Sequence, residues 1–206
     1  MKSILLMWAL TVPAAVYGAS SASFACPKLS YSSDGSDDAV AKMLVVTVRH
    51  EPDPADTGRP GLIWIALVPP SDSDNTPPVF FTLNQRWESW EGGLYVPAGR
   101  FDDGLPASFS INSLLDRQYI GWSIYSGHGV LTEQAQRIVA ARRAILDAQR
   151  PKRIAAGPWS ASYDSDDQMK WSLVQKDAKD NGKYKSLADV PNLICQTWGY
   201  DSNSGN

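Results

Sequence analysis

The chain has 206 residues, 43% hydrophobic and 20% charged, with 19 Lys and Arg against 22 Asp and Glu for a net charge of −3. One globular domain with a real core fits that length, and the acidic balance excludes a protein that coats nucleic acid, which needs a strongly basic face. Eight Trp, eight Tyr and five Phe exclude a disordered chain, and two His and two Cys leave little material for a zinc site.

Met1-Lys2-Ser3 precedes an apolar run over residues 4–16, broken only by Thr11 and Pro13, and the small residues Gly18, Ala19, Ser20, Ser21 and Ala22 follow. These are the parts of a secretory signal peptide. A membrane span needs roughly 20 apolar residues, so the mature chain is expected to have no transmembrane span. Cleavage after Gly18 or after Ala22 meets the small-residue requirement, and the second is preferred, giving a leader of 1–22. Cys26 and Cys195 then lie near the two ends of the mature chain, where an oxidising compartment favours a disulfide. The competing reading lipidates Cys26, but Ser23-Phe24-Ala25-Cys26 lacks the aliphatic residue expected three places before such a Cys.

Residues 23–41, rich in Ser and Asp, read as an irregular lead-in to a single domain over 42–200. Residues 43–49 predict a strand and residues 62–68 a strand buried on both faces. Between them the prolines of 51–61 make a loop. A polar loop over 69–78 leads to the apolar run 79–83. Residues 107–112 put Ala107, Phe109 and Ile111 on one face, and 119–125 do the same with Ile120, Trp122 and Ile124. Short strands with Pro, Gly and Asp loops and no intervening helices predict a mainly β fold, an antiparallel β-sandwich. One amphipathic helix is expected over 132–149, capped by Thr132, with Ala135, Ile138, Val139, Ile145 and Leu146 as its stripe and Pro151 as its stop. Residues 168–174 alternate like a strand, although a short helix capped by Asp166 fits nearly as well. Residues 201–206 read as a mobile tail.

The only histidines are His50 and His128. Ser126-Gly127-His128-Gly129 carries the residue types of nucleophilic catalysis, but a nucleophile and base two residues apart on a glycine turn have poor geometry. The segment reads instead as a hinge between strand and helix, and His50 beside Glu51 as a surface histidine. Glu88, Glu91, Asp102 and Asp103 lie among Trp87, Trp90, Tyr95 and Phe101, a composition suited to sugar hydrolysis by paired carboxylates. Trp87, Trp90 and Tyr95 alone make a candidate platform for a glycan, since sugar C–H faces stack on exposed rings; the alternative places them at the core edge. No cofactor is expected, with calcium as the one exception. Asp164, Asp166 and Asp167 cluster, and Asp177-Ala178-Lys179-Asp180-Asn181-Gly182 departs from a calcium loop because Lys179 stands where an oxygen ligand belongs. Asn181-Gly182 reads more simply as a tight turn. Arg137, Arg142, Arg143, Arg150, Lys152 and Arg153 either complement the helix dipole or form a basic patch that docks a partner.

The stretches Phe80-Phe81-Thr82-Leu83, Trp87-Glu88-Ser89-Trp90-Glu91-Gly92-Gly93, Leu105-Pro106-Ala107-Ser108-Phe109-Ser110-Ile111 and Tyr119-Ile120-Gly121-Trp122-Ser123-Ile124-Tyr125 together resemble a β-sandwich module that recurs in large bacterial surface and pilus-associated proteins. The resemblance covers about residues 60–130 and brings no catalytic motif. It implies a non-catalytic, exported bacterial protein, periplasmic, cell-surface or secreted, serving binding, adhesion or assembly in a surface or pilus-associated structure. The expected partner is another envelope or surface protein, met through the basic helix or a strand edge. A carbohydrate-binding module and a glycoside hydrolase-like enzyme are the alternatives.

Overall fold

A run rich in Leu and Val is the local cause of the first long strand, and the computed structural model shows where its two faces go. It describes residues 20–27, 43–73, 75–157, 167–193 and 195. The elements are β1 (Ser21–Ala25), β2 (Met43–His50), β3 (Gly61–Val68), β4 (Val79–Phe81), β5 (Trp87–Ser89), β6 (Gly99–Phe101), β7 (Phe109–Asp116), β8 (Ser123–Val130), α1 (Glu133–Ala155), α2 (Asp167–Asp180) and β9 (Tyr184–Asp189). The expected mainly β chain with antiparallel pairing is present, arranged as two sheets. One has the order β1-β2-β7, and the other runs β5-β4-β3-β8-β9 with β6 also paired to β3.

Leu44, Val46 and Val48 of β2 share one core cluster with Ile111 and Leu115 of β7 and with Ile65, Leu67 and Ile124 of the larger sheet. Leu62, Trp64 and Ala66, the alternate residues of β3, share a second cluster with Ala135 and Val139 of α1 and with Trp171, Val174 and Ala178 of α2. β3 is therefore buried on both faces, as its continuous apolar run predicts. One face meets the small sheet and the other meets the helices.

Several boundaries differ from expectation for identifiable reasons. Residues 167–180 form a helix where alternation favoured a strand, because the apolar positions Trp171, Val174 and Ala178 also fit a helical period and pack on β3. α1 keeps its Thr132 cap, whose Oγ1 accepts from the Ala135 N–H at 3.2 Å, but it passes through Pro151 to Ala155. Proline removes one backbone donor, and the helix resumes beyond it with the Ala156 N–H donating to the Lys152 carbonyl at 3.1 Å. Asp116 caps a 3-10 turn over Arg117–Tyr119, which delays the strand expected at 119 until Ser123. Ile120 and Trp122 still pack on the first cluster.

The expected leader boundary after Ala22 falls inside β1, whose five residues pair with Val45 to Arg49 of β2. The expected disulfide joins Cys26, just after β1, to Cys195, with Cα atoms 5.4 Å apart, so Cys26 offers no thiol for lipidation. No described helix is long and apolar enough to cross a membrane. Asp164, Asp166, the tail over 201–206 and most of the proposed leader lie outside the described residues.

Candidate functional site

Strand periodicity puts His50 on the same face of β2 as Leu44, Val46 and Val48. It is buried, 3% exposed, and the expectation of a surface histidine is corrected. In β8 the same rule aligns Ile124, Ser126, His128 and Val130 on one face and Gly127 and Gly129 on the other. The expected hinge is therefore a paired strand, with Ser126 opposite Ile65 and His128 opposite Ile63. The glycines serve packing. A Cβ at Gly129 would collide with the Val174 carbonyl of α2, and one at Gly127 with the Lys183 carbonyl and the Tyr184 ring.

Ser126, His50, His128 and Asp56 form one hydrogen-bonded chain. Ser126 Oγ lies 2.9 Å from His50 Nδ1, His50 Nε2 lies 3.1 Å from His128 Nδ1, and His128 Nε2 lies 3.0 Å from Asp56 Oδ2. Lys183 donates to Asp56 Oδ2 at 2.6 Å and to Asp177 Oδ2 at 2.8 Å. Asp177 also accepts from the Val130 N–H at 2.9 Å and from Asn181 Nδ2 at 2.8 Å. Asp56 is presented by a turn between β2 and β3 in which Asp53 Oδ1 accepts from the Ala55 N–H. Lys183 is presented by the α2–β9 turn, where Gly182 has a φ of 60°, as Asn181-Gly182 predicts.

The charges fix the protons. Burial acts to raise the Asp56 carboxyl, but the bonds from Lys183 and His128 outweigh it and hold it below its ordinary value. Burial opposes the Lys183 ammonium, yet Asp177 and Asp56 hold its pKa above the ordinary value. Burial pushes His128 below 6.5 against the pull of Asp56. Burial, with His128 and Lys185 nearby, lowers His50 to about 3. Both rings are neutral at pH 7. An ionised Asp56 can only accept, so His128 donates from Nε2 and accepts at Nδ1; His50 then donates from Nε2 and accepts the Ser126 hydroxyl proton at Nδ1. Every link in the chain is satisfied by this one arrangement.

A cleft of about 470 Å³ opens on this chain, and His50, His128, Asp56 and Lys183 are among its walls, with Glu51 and Lys185 beside them. Ser126 is 1% exposed and does not line it.

The other predicted site residues lie elsewhere. Trp87 packs edge-on against Phe81 beside the first cluster, whereas Trp90 meets Tyr95 edge-on, and Tyr95 stacks on Phe80 beside the second. The rings therefore face opposite sides of the large sheet and do not make the expected single platform. Asp102 accepts from Arg100 and Lys170, which hold its carboxyl below the ordinary range, the reverse of what a sugar-cleaving acid needs. Glu88, Glu91 and Asp103 are exposed.

The expected basic patch is dispersed, because successive helical residues turn by about 100°. Arg142 and Arg153 are half-buried on the face of Ala135, Val139 and Leu146, Arg137 and Lys152 project from the other side, and Arg143, Arg150 and Arg153 each have a partner. Asp177 and Asp180 are engaged by Lys183 and Lys176 rather than by each other, and Asp167 binds Arg100. Among the described residues no group of three His, Cys, Asp or Glu side chains could hold a metal ion.

Asp56 and Lys183 were missed in the sequence, and Asp177 was weighed only as a calcium ligand, because the three belong to a loop, a turn and a helix with no shared period. His50 carried a usable signal: it continues the even-numbered buried face of β2. Comparison of the chain with protein-family models, with curated proteins and with solved structures finds no match.

Proposed function

We propose that the protein is a non-catalytic, exported binding component of a bacterial envelope, a β-sandwich flanked by two helices, which holds a polar segment of a protein partner in the His50–His128 cleft. The observation that carries this reading is the cleft, whose walls come from β2, the β2–β3 loop, β8 and the α2–β9 turn and are tied together by Lys183 between Asp56 and Asp177. Such a site is formed before its occupant arrives, which lowers the ordering cost of binding. Its rim carries both signs, Glu51 and Asp53 against Lys183 and Lys185, and so complements a segment of alternating charge.

Two features weigh against catalysis. A base with a pKa near 3 is too weak to serve at neutral pH, where a matched value is near 7. The Ser126 hydroxyl is committed to His50 away from the cleft. The leader-like start and the Cys26–Cys195 bond support export, and the resemblance over residues 60–130 supports an envelope setting.

A photo-crosslinking residue at Lys185, with a second at Ile145 on α1 as comparison, tests the site in cells. The expected result is one defined adduct at Lys185, abolished by reversing charge at Glu51→Lys. Absence of that adduct, or glycan retention that depends on Trp90, overturns the reading.

A further inference from the structure

The two sheets have unequal width. The small sheet ends at β7, whereas the large sheet runs on past β3 to β4 and β5. On the opposite side β1 adjoins β9. At β7 a groove of about 280 Å³ separates the edge strand from the β4–β5 turn, with Phe81, Leu83, Gln85 and Ala98 facing Ser110 and Asn112. The turn is held in place, since the Thr82 N–H donates to the Arg86 carbonyl at 2.8 Å and the Thr82 carbonyl accepts from the Gln85 N–H at 2.9 Å.

In a strand the N–H and C=O of one residue point to the same neighbour, and those of the next residue point to the other. The Glu51 N–H, just past β2, points to the β1 side, where it donates to Ser20 Oγ at 3.0 Å. The odd-numbered residues of β2 therefore serve β1 and the even-numbered ones serve β7, through the pairs His50–Phe109, Val48–Ile111, Val46–Ser113 and Leu44–Leu115. Ser110, Asn112 and Leu114 then turn their backbone groups to the open side. The Leu114 carbonyl agrees, because it is free to accept from Ser113 Oγ at 3.2 Å. The other backbone groups of these three residues have no partner among the described residues. An open row of this kind is a template for one more strand.

Such edges are ordinarily blunted by Lys, Pro, a bulge or short length, and β7 uses none of these. It has eight residues, it pairs with β2 without a register shift, and it carries no charge and no proline before Asp116. The outer strand of the large sheet, β9, by contrast carries Lys185 and Asp189. No charged residue lines the groove, although 20% of the chain is charged. Leu83 in the groove and Leu114 on the strand are 55% and 46% exposed. Side chains of an added strand would alternate between the groove and the outer surface, so its groove-facing positions are apolar and no position along this stretch calls for charge.

A second copy of this chain fits the edge poorly. Pairing β7 with β7 about a two-fold axis brings both β4–β5 hairpins to the same side of the joined sheet, each into the groove that the added strand must fill. A single strand meets no such conflict. We propose that the β7 edge is a docking site for an extended, uncharged segment of another protein, which adds a fourth strand to the small sheet and seats alternate apolar side chains in the groove. The groove shares no lining residue with the His50–His128 cleft, and the two sites stand or fall separately.

An end-blocked seven-residue peptide of alternating valine and threonine is a suitable probe, followed by amide hydrogen exchange in the ¹⁵N-labelled protein. Without peptide, the Ser110, Asn112 and Leu114 amides should exchange fast and the Ile111 and Ser113 amides slowly. Peptide at ten times its Kd should slow the first three by about tenfold, the factor 1 + [L]/Kd, and a fully N-methylated peptide should leave them unchanged. Asn112→Pro, which removes an outward donor and none of the β2 pairing, should abolish the effect, whereas Asn112→Ala, which keeps the donor, should bind within about twofold of the parent. Slow exchange of all three amides in the free protein, equal protection by the N-methylated peptide, no protection by the peptide at any concentration, or concentration-dependent dimers lost in Asn112→Pro overturns the proposal.

Discussion

His50 is a basic side chain held in its neutral form, and its burial has a definite pH signature. Its folded pKa of about 3 lies below the ordinary 6.5, so between those values the unfolded chain binds more protons and stability rises with pH. The contribution is complete above about pH 6.5 and is lost as the pH falls through 3. The slope from this one ring reaches about 1.4 kcal/mol per pH unit, and the His128 shift has the same sign. Urea midpoints at pH 7, 5 and 4 should fall steadily, and His50→Leu should flatten that fall; an unchanged slope in the variant would remove His50 as its source. Lys183 makes the complementary case. Lys183→Met leaves Asp177 buried without a cation and Asp56 with only Arg59 at 3.7 Å, and should cost about 3 kcal/mol, as broken buried pairs do, whereas Lys176→Met at the exposed Lys176–Asp180 pair should cost below about 0.5 kcal/mol. Denaturant unfolding of the two variants measures the contrast, and equal losses would contradict it. The sequence showed the residue types of this network but not their meeting, because directly bonded members are separated by up to 127 positions.

At the scale of elements, the legible features were those with a local cause. The continuous apolar run of β3, the run rich in Leu and Val of β2 and the Thr132 cap of α1 each follow from neighbours in sequence. The Ser126-Gly127-His128-Gly129 segment was misread because two glycines are as good in a loop as in a strand that another backbone must approach. The structure distinguishes these: Gly129→Ala should displace α2 through the Val174 carbonyl and cost about 3 kcal/mol, the upper part of the overpacking range. At Gly121, which has a φ of 82° and nothing near its missing Cβ, alanine should cost only about 1 kcal/mol. Thermal unfolding of the two single variants compares them, and a Gly129→Ala cost no larger than that of Gly121→Ala would restore the hinge reading. β1 constrains the proposed leader cleavage in the same way. Cleavage after Ala22 would remove the Ser21–Arg49 and Ala22–Val48 pairs and the bond from the Glu51 N–H to Ser20 Oγ, whereas cleavage after Gly18 keeps all three. If the chain is exported as proposed, intact-mass measurement of the mature protein should therefore show Ala19 as its first residue, and a chain beginning at Ser23 would refute this.

For the whole molecule, the pairing of sheets was the least legible feature, since β7 joins β2 after four intervening strands and β9 returns to β8 after two helices. Nothing local in the sequence specifies such long-range neighbours; shared burial does, once alternation has assigned faces. The one long-range link written plainly in the sequence was covalent. Cys26 and Cys195 are 169 positions apart, and in the chain-entropy account closing so long a loop restricts the unfolded ensemble by about 5 kcal/mol. Most of that acts on the unfolded chain, so the Cys26→Ser/Cys195→Ser variant should keep the native spectrum and the His50–His128 cleft. It should unfold at a clearly lower urea concentration and with a steeper dependence on urea, because an unlinked chain exposes more surface when it opens. If the variant instead loses native structure in the β1 region before the main transition, the bond is holding β1 against β2, and its effect belongs to the folded state. If its midpoint matches that of the parent, the loop-closure argument fails for this protein.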